Sequence, residues 1–328
     1  MVKLTILMPN YNNATYIGQA IDSILMQKTR YQYKIIISDD ASSDDSLKII
    51  ELYKQKYKNT IKVLKQKRNL GLTLNMLKLY NEAKSEYFCV LDSDDYWTDE
   101  LKIEKALSFL EEHKNYTSYQ GKTLIKQDGT EKIYMDYTNN HTCLFSQYLT
   151  KSEKQQYMQI SGGGGQDNII NAPISFPTMG HTSSSIFRNI ALHTKHTQDF
   201  FKKATRYDMY GGDSFRNLLH LIYGCSYHST DVDSVYNMHG SGDWSANNDD
   251  LQTYRNAVFW HDFWGFSGKK FLLFISTSYD LFIGMVNKTD EIKYTKNDNP
   301  KKKIPQMLRN YNENMEAIIN LLKRYPNA

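Results

Sequence analysis

The chain reads as an α/β protein: a mostly parallel sheet flanked by helices, followed by a helical C-terminal extension. Two observations predict this. Through the first 113 residues, short apolar runs alternate with amphipathic stretches of helical spacing. From about residue 245 onward the strand signals stop and only helical spacing continues.

The strand runs are KLTILMP (3–9), KIIIS (34–38), IKVLKQ (61–66) and YFCVLD (87–92). Their apolar, β-branched content suits strands covered on both faces. Between them, residues 13–27 carry Ile17, Ala20, Ile21 and Ile24 on one helical face. Helices are expected again at 44–57, at 72–83 with Leu74, Leu77 and Leu79, and at 98–113. Such sheets bind ligands beyond the carboxyl ends of their strands, where loops begin at Pro9, Asp39 and Asp92. After residue 113 the alternation is lost. Asp128-Gly129 marks a hairpin, Gly162–Gly165 a loop, and Pro173 and Pro177 another irregular stretch. Helices are expected at 212–223, about 250–264, 270–287 and 304–324. The chain divides on this reading into units at 1–118, 119–245 and 246–328.

With 40% apolar residues and a net charge of +4, the 328-residue chain is too apolar and too weakly charged for disorder. It also lacks the concentrated basic stripe of a nucleic-acid binder. Cys89, Cys143 and Cys225 are odd in number and far apart, which argues against a disulfide framework or zinc knuckle and for a reducing compartment. Pro9 interrupts the N-terminus before a signal-peptide core can form. The longest apolar run, 271–286, contains Asp280 and is shorter than the roughly 20 residues of a membrane span. A cytoplasmic protein is expected, soluble or peripheral at the inner face of a membrane.

Chemistry concentrates in three loops. In LDSDDYW (91–97), Asp92 and Asp94 lie two apart at a strand end, so their carboxylates face one way, and Asp95 adds a third acid. Like charges so close are costly without a cation, and hard oxygen ligands suit Mg2+ or Mn2+. Read alone, the segment fits equally a solvated acidic turn capping the next helix. In ISDDASSDD (37–45), Asp39 and Asp40 can accept hydrogen bonds from a base edge, while Ser43 and Asp44 suit an N-cap cluster. In MPNYNN (8–13), Pro9 and Asn10 end the strand and Tyr11 offers a ring for stacking.

Taken together, LTILMPNYNNATYIGQAIDSILMQ, IIISDDASSDDS, KRNLGLTLN and YFCVLDSDDYW make the first third resemble family 2 glycosyltransferases of the GT-A fold. The resemblance implies a nucleotide-sugar-binding unit at 1–118, an acceptor-binding and catalytic unit at 119–245, and inverting sugar transfer. It implies that Asp94 is the metal ligand and that Asp92, with Ser93 beside it, contacts ribose. It implies further that Asp40 and Asp39 hold uracil, that Pro9 and Tyr11 flank the base, and that Arg68, Asn69 and Asn75 lie near the uridine and the floor of the site. The family's catalytic base is an acid just before a helix, which GGDSFRNLLHLIYG (211–224) matches with Asp213 after Gly212. As a bare sequence feature, Asp213 reads as a helix N-cap; the two roles are compatible.

VYNMHGSGDWS (235–245) resembles a family segment of Tyr, basic residue, His, Gly and Trp, with Asn237 where relatives commonly have Arg. His239 is thereby a candidate metal or diphosphate ligand, and Trp244 a candidate for the donor or acceptor pocket. HTSSSIFR (181–188) resembles the family's strand before the acceptor helix, which makes His181 and Ser183, with Asp95 and Gly212, candidates for the same pocket; a polar strand edge explains His181 and Ser183 as well. The implied cofactor is Mn2+ or Mg2+, the donor a UDP-sugar, and the acceptor a glycan or lipid-linked oligosaccharide. Met307, Leu308, Tyr311, Met315, Ile318, Ile319 and Leu322 form an amphipathic face after Lys301–Lys303. That face suits core packing, a homo-oligomer contact or an anionic membrane surface. Two other readings compete. A sugar nucleotidyltransferase needs a glycine-rich basic loop after the first strand, which MPNYNN lacks. An inactive nucleotide-sugar-binding module does not need Asp92, Asp94, Asp213 and His239 together.

Overall fold

The computed structural model describes residues 1–134, 141–142, 181–190, 192–204, 213–221, 223–239, 249–269, 272–285 and 300–324. The first third follows the expected alternation: β1 (Leu4–Asn10), α1 (Ile17–Leu25), β2 (Tyr33–Asp39), α2 (Ser46–Lys56), β3 (Ile61–Lys65), α3 (Leu72–Glu82) and β4 (Tyr87–Val90). All seven residues of β1 are buried, as befits a strand with parallel partners on both sides. On α1 the buried apolar residues are Ile17, Ala20, Ile21 and Ile24, the face read from spacing. Gly71 precedes α3 at φ 82°, a left-handed conformation that costs glycine little.

Next come β5 (Tyr96–Trp97), α4 (Lys102–Glu112), β6 (Tyr116–Gln127), β7 (Thr130–Ile133), β8 (His141–Thr142), a 3-10 turn (Thr182–Ser184) and β9 (Ser185–Arg188). The chain continues through α5 (Lys195–Ala204), α6 (Asp213–Leu221), β10 (Cys225–Asn237), α7 (Asp249–Phe266), α8 (Leu272–Met285) and α9 (Pro300–Arg324). The sheet runs β3-β2-β1-β4-β9-β6-β10-β5, with β7 beside β6 and β8 beside β10. Its first four strands are parallel. β9 is antiparallel to both β4 and β6, so the second half is mixed.

One apolar cluster covers a sheet face and joins Leu7, Ile36 and Phe88 to Phe215, Tyr254, Trp260, Phe263, Phe274 and Tyr311. The C-terminal helices therefore pack on the same core as the first strands. Burying each such aromatic or aliphatic side chain contributes about 1.5–3 kcal/mol. On α9, Met307, Tyr311 and Ile318 face this core, while Leu308 and Ile319 stay exposed. Lys303 is buried and paired with Asp262, so the basic entry to α9 presents fewer free charges than its sequence suggests. Among the described residues, no helix is long and apolar enough to cross a membrane.

One expectation is corrected. Cys225 is disulfide-bonded, against the reading from cysteine count and spacing. Cys89 is free and fully buried in β4.

Candidate active site

The acids of the second loop are held from within. Asp39 ends β2 with 1% exposure and accepts from Asn10 Nδ2 (2.8 Å), Ser42 N (3.1 Å) and Ser42 Oγ (2.6 Å). Asp40, 2% exposed, accepts the backbone N–H groups of Leu70 (2.9 Å) and Gly71 (2.9 Å) and so pins the β3–α3 loop. Burial raises the pKa of the Asp40 carboxyl, and those N–H donors oppose the rise. Beneath them Asn75 is buried, donating to Ser38 O and accepting from Ser38 Oγ. Asn75 is thus a floor brace. Tyr11, Arg68 and Asn69 are exposed around this loop, while Pro9 is buried inside β1.

Hydrogen bonds sew the β1–α1 loop to its neighbours on both sides. Asn13 N donates to Ser46 Oγ (2.9 Å) and Ala14 N to Asp44 Oδ2 (2.9 Å). Asn13 Nδ2 reaches the other way, to Ser93 Oγ at 2.8 Å. The loops after β1, β2 and β4 therefore form one surface.

After β4 the acids stand differently. Asp95 N bonds back to Asp92 O (3.0 Å), closing a turn that lifts Asp94. Asp94 is 22% exposed, and its Oδ2 lies 3.1 Å from Nε2 of His239. The His239 ring stacks on Tyr16 at 4.8 Å between centroids. Asp95 turns inward, 2% exposed, and accepts from Ser183 Oγ (2.5 Å) and Asn237 N (3.1 Å). Burial, then the charges of Asp94 and Asp92, raise its pKa well above the usual carboxylate range. His181 Nδ1 accepts the N–H of Ser183 and lies 3.4 Å from Asp95 Oδ2, its ring stacked on Tyr236 at 4.4 Å. The Tyr236 phenol is pushed up to about 12, by burial first and then by Asp95. Asp95 and Ser183 thus stand beneath the surface that carries Asp94. Both are buried, because β10 and the 182–184 turn close over them.

A buried ion pair fixes this arrangement. Lys102 Nζ on α4 donates to Asp233 Oδ2 (2.5 Å) and to Ser184 O (2.7 Å), with both charged side chains almost fully buried. Burial raises the Asp233 pKa to about 6, although Lys102 opposes that. A Cβ on Gly121 would come within 2.0 Å of Asp233 Oδ2, so only glycine fits there. Trp97 Nε1 donates to Ser183 O (2.7 Å), and Thr98 N to Asp233 O (3.1 Å). The pair thus locks β10, which leads to His239, against the loop that carries Asp94.

Asp213 is the first residue of α6. One turn on, buried Arg216 donates to Tyr80 Oη (2.8 Å) and to Thr182 Oγ1 (2.8 Å), next to His181. This ties the N-terminal end of α6 to the turn that braces Asp95. The side chain of Asp213, and all of Gly212 and Trp244, lie outside the described residues.

Asp94 and His239 stand at hydrogen-bond distance, 3.1 Å, and a carboxylate oxygen and an imidazole nitrogen are both donor types that Mn2+ accepts. Among the described residues, no group of three or more His, Cys, Asp or Glu side chains is assembled around a metal position. Residues that sequence reasoning missed are Tyr16, Asn13, Trp97, Lys102, Gly121 and Asp233. Their signals, single polar or aromatic residues without a motif, acquire meaning only from their partners.

Comparison with known proteins matches residues 5–167 to the model described as glycosyl transferase family 2. The chain belongs to that family. An uncharacterised protein of Mycobacterium tuberculosis is 32% identical over 129 residues, 39% of this chain and 37% of its own length. The putative teichuronic acid biosynthesis glycosyltransferase TuaG of Bacillus subtilis is 34% identical over 127 residues, 39% of this chain and 49% of TuaG. The matched stretch thus spans less than half the length of these relatives. Among solved structures, S. aureus TarS (residues 1–349, with UDP-GlcNAc) superposes with a TM-score of 0.53 and 15% identity, over 88% of this chain and 73% of that one. That likeness establishes a shared GT-A fold.

Proposed function

We propose that this family 2 glycosyltransferase moves a sugar from a UDP-sugar to a hydroxyl of a glycan or lipid-linked acceptor, with inversion at C1. The observation that carries the reading is the meeting of Asp94 and His239, 145 residues apart, above a surface built from the loops after β1, β2 and β4. TarS was solved with UDP-GlcNAc, which supports a uridine diphosphate donor. The name of TuaG supports a cell-surface glycan as the class of acceptor.

In this reading Asp39 and Asp40 set the base edge, Tyr11 stacks on the base, Arg68 and Asn69 border it, and Asp92 and Ser93 meet the ribose. Asp94 and His239 hold Mn2+ or Mg2+, which when bound supplies positive charge opposite the diphosphate leaving group. Asp213, opening α6, takes the proton of the acceptor hydroxyl. The freed oxygen forms its bond to C1 as the bond from C1 to the diphosphate oxygen breaks, which inverts C1. The Lys102–Asp233 pair keeps the Asp94 loop and β10 in register so that the two ligands meet.

The test is thermal-shift screening of UDP-, GDP-, CDP- and dTDP-sugars with and without Mn2+, followed by UDP release from the donor that binds. Mn2+-dependent stabilisation by a UDP-sugar, absent in Asp94→Ala, is expected. A wild-type protein that no UDP-sugar stabilises would refute the reading. The reading extends to a peripheral position at the inner face of a membrane through the exposed Leu308 and Ile319 of α9, which liposome flotation of wild type and Leu308→Glu/Ile319→Glu tests.

A further inference from the structure

We propose that the groove between the end of β3 and helix α3, which adjoins the nucleotide pocket at Arg68, is a docking site for a polyanionic glycan chain. The groove has a volume of about 490 Å³ and is lined by Lys65, Gln66, Lys67, Arg68, Leu70 and Lys78. Four of its six lining residues are cations. Lys65 is paired with Glu51 at 2.9 Å; among the described residues Lys67, Arg68 and Lys78 form no ion pair within 4 Å, although the Lys78 charge acts on Asp40. The nearest buried acid, Asp40, is engaged by the N–H groups of Leu70 and Gly71.

One wall is built rather than floppy. Gln66 is anchored to the sheet end by Gln66 N to Asp39 O (2.9 Å) and by Nε2 to Ser38 Oγ (3.0 Å). Its Oε1 in turn holds the Lys78 ammonium at 2.5 Å. A cation fixed in this way loses less side-chain entropy when it meets an anion.

The chemistry of the lining selects the occupant. It contains no aromatic ring for stacking bases, which disfavours a single-stranded nucleic acid. Its one apolar residue, Leu70, gives nothing to insert into lipid, which disfavours a membrane. The volume exceeds what a lone phosphate fills. β3 is the sheet edge, three strands from β4 and its acidic loop, or about 14 Å at ordinary strand spacing. A polyanion that reaches from the groove to the acidic loop is a chain with repeated anionic groups, of the phosphodiester or uronate kind. The site stands on its lining and needs no assumption about the donor.

The test is fluorescence anisotropy of the full chain with labelled oligogalacturonate, labelled polyphosphate, neutral dextran, a single-stranded oligonucleotide of matched charge and phosphatidylglycerol vesicles. Both acidic polymers should bind and dextran should not, with affinity falling steeply as salt rises. Lys67→Glu/Lys78→Glu should weaken the acidic polymers at least ten-fold at an unchanged melting temperature. Lys67→Ala/Lys78→Ala should do the same more mildly and guards against misfolding of the first variant. The proposal is overturned if wild type binds neither polymer, if folded variants bind them as wild type does, or if the oligonucleotide or vesicles bind more tightly than oligogalacturonate. Loss of UDP-sugar binding in these variants, with polymer binding intact, would assign the groove to the nucleotide and overturn the proposal.

Discussion

The loops after β2 and β4 are written in nearly the same letters, SDD and DSDD, and the fold uses them in opposite ways. Asp39 and Asp40 are buried and surrounded by donors from Asn10, Ser42, Leu70 and Gly71. After β4 Asp95 is treated so, while Asp94 stays partly exposed with the His239 imidazole against it. A carboxylate satisfied by backbone N–H groups holds a loop in shape, whereas one left with open lone pairs beside like charges is suited to bind a cation. Asp233, buried against Lys102, belongs with the first kind.

The sharpest way to break this contrast is to remove a partner from a satisfied acid. Lys102→Met leaves Asp233 buried without its counter-charge and should cost about 3–5 kcal/mol in urea unfolding. Adding Asp233→Asn should recover part of the loss. If Lys102→Met is neutral, the pair does not lock β10. At the open acid the effect should fall on activity instead. Asp94→Ala should lower metal-dependent UDP release at least 100-fold, about 2.7 kcal/mol on the barrier, and leave the melting temperature near that of wild type. Should Asp94→Ala lower the melting temperature as much as Lys102→Met does, the two kinds of acid are not distinct.

Asp40→Ala tests the other loop. It leaves the N–H groups of Leu70 and Gly71 without their acceptor and should cost about 2–3 kcal/mol, read by urea unfolding and by faster amide exchange at those two residues. The smallest effect comes from a buried base under the same rule. His220 is fully buried on α6, its Nδ1 donating to Arg216 O, and burial lowers its pKa to about 4. The unfolded chain takes up that proton below about pH 6.5 and the native state does not. The stability it contributes is complete above pH 6.5 and is lost as pH falls toward 4. Between pH 7 and 5 the loss from this residue should be about 2 kcal/mol. A His220→Asn variant should show a flatter stability profile over that range, and an unchanged slope would remove His220 as its cause.

The N-terminal half was largely legible because its signals are local. Parallel strands covered on both faces must be apolar throughout, and the helices between them carry one apolar stripe, so KLTILMP, KIIIS and the face of 13–27 reveal their places. The acids of the candidate site announced themselves by position at strand ends. The mixed half was less legible: α5 was not anticipated although Thr197, Phe200 and Phe201 share one buried face, and β9 lies antiparallel between two strands far from it in sequence. Gly121 looks like any strand glycine until Asp233 is placed against it.

By itself, the sequence determined the alternating architecture, the clustering of carboxylates at the ends of β2 and β4, and membership of a glycosyltransferase family. The tertiary structure alone decided which carboxylates are braced and which stay open. The physical reason is the origin of the partners. Asp40 is bonded from 30 residues away, Asp95 from 88 and 142, and Asp94 from 145. A side chain's role here follows from the donors that reach it, and sheet pairing rather than local spacing delivers those donors.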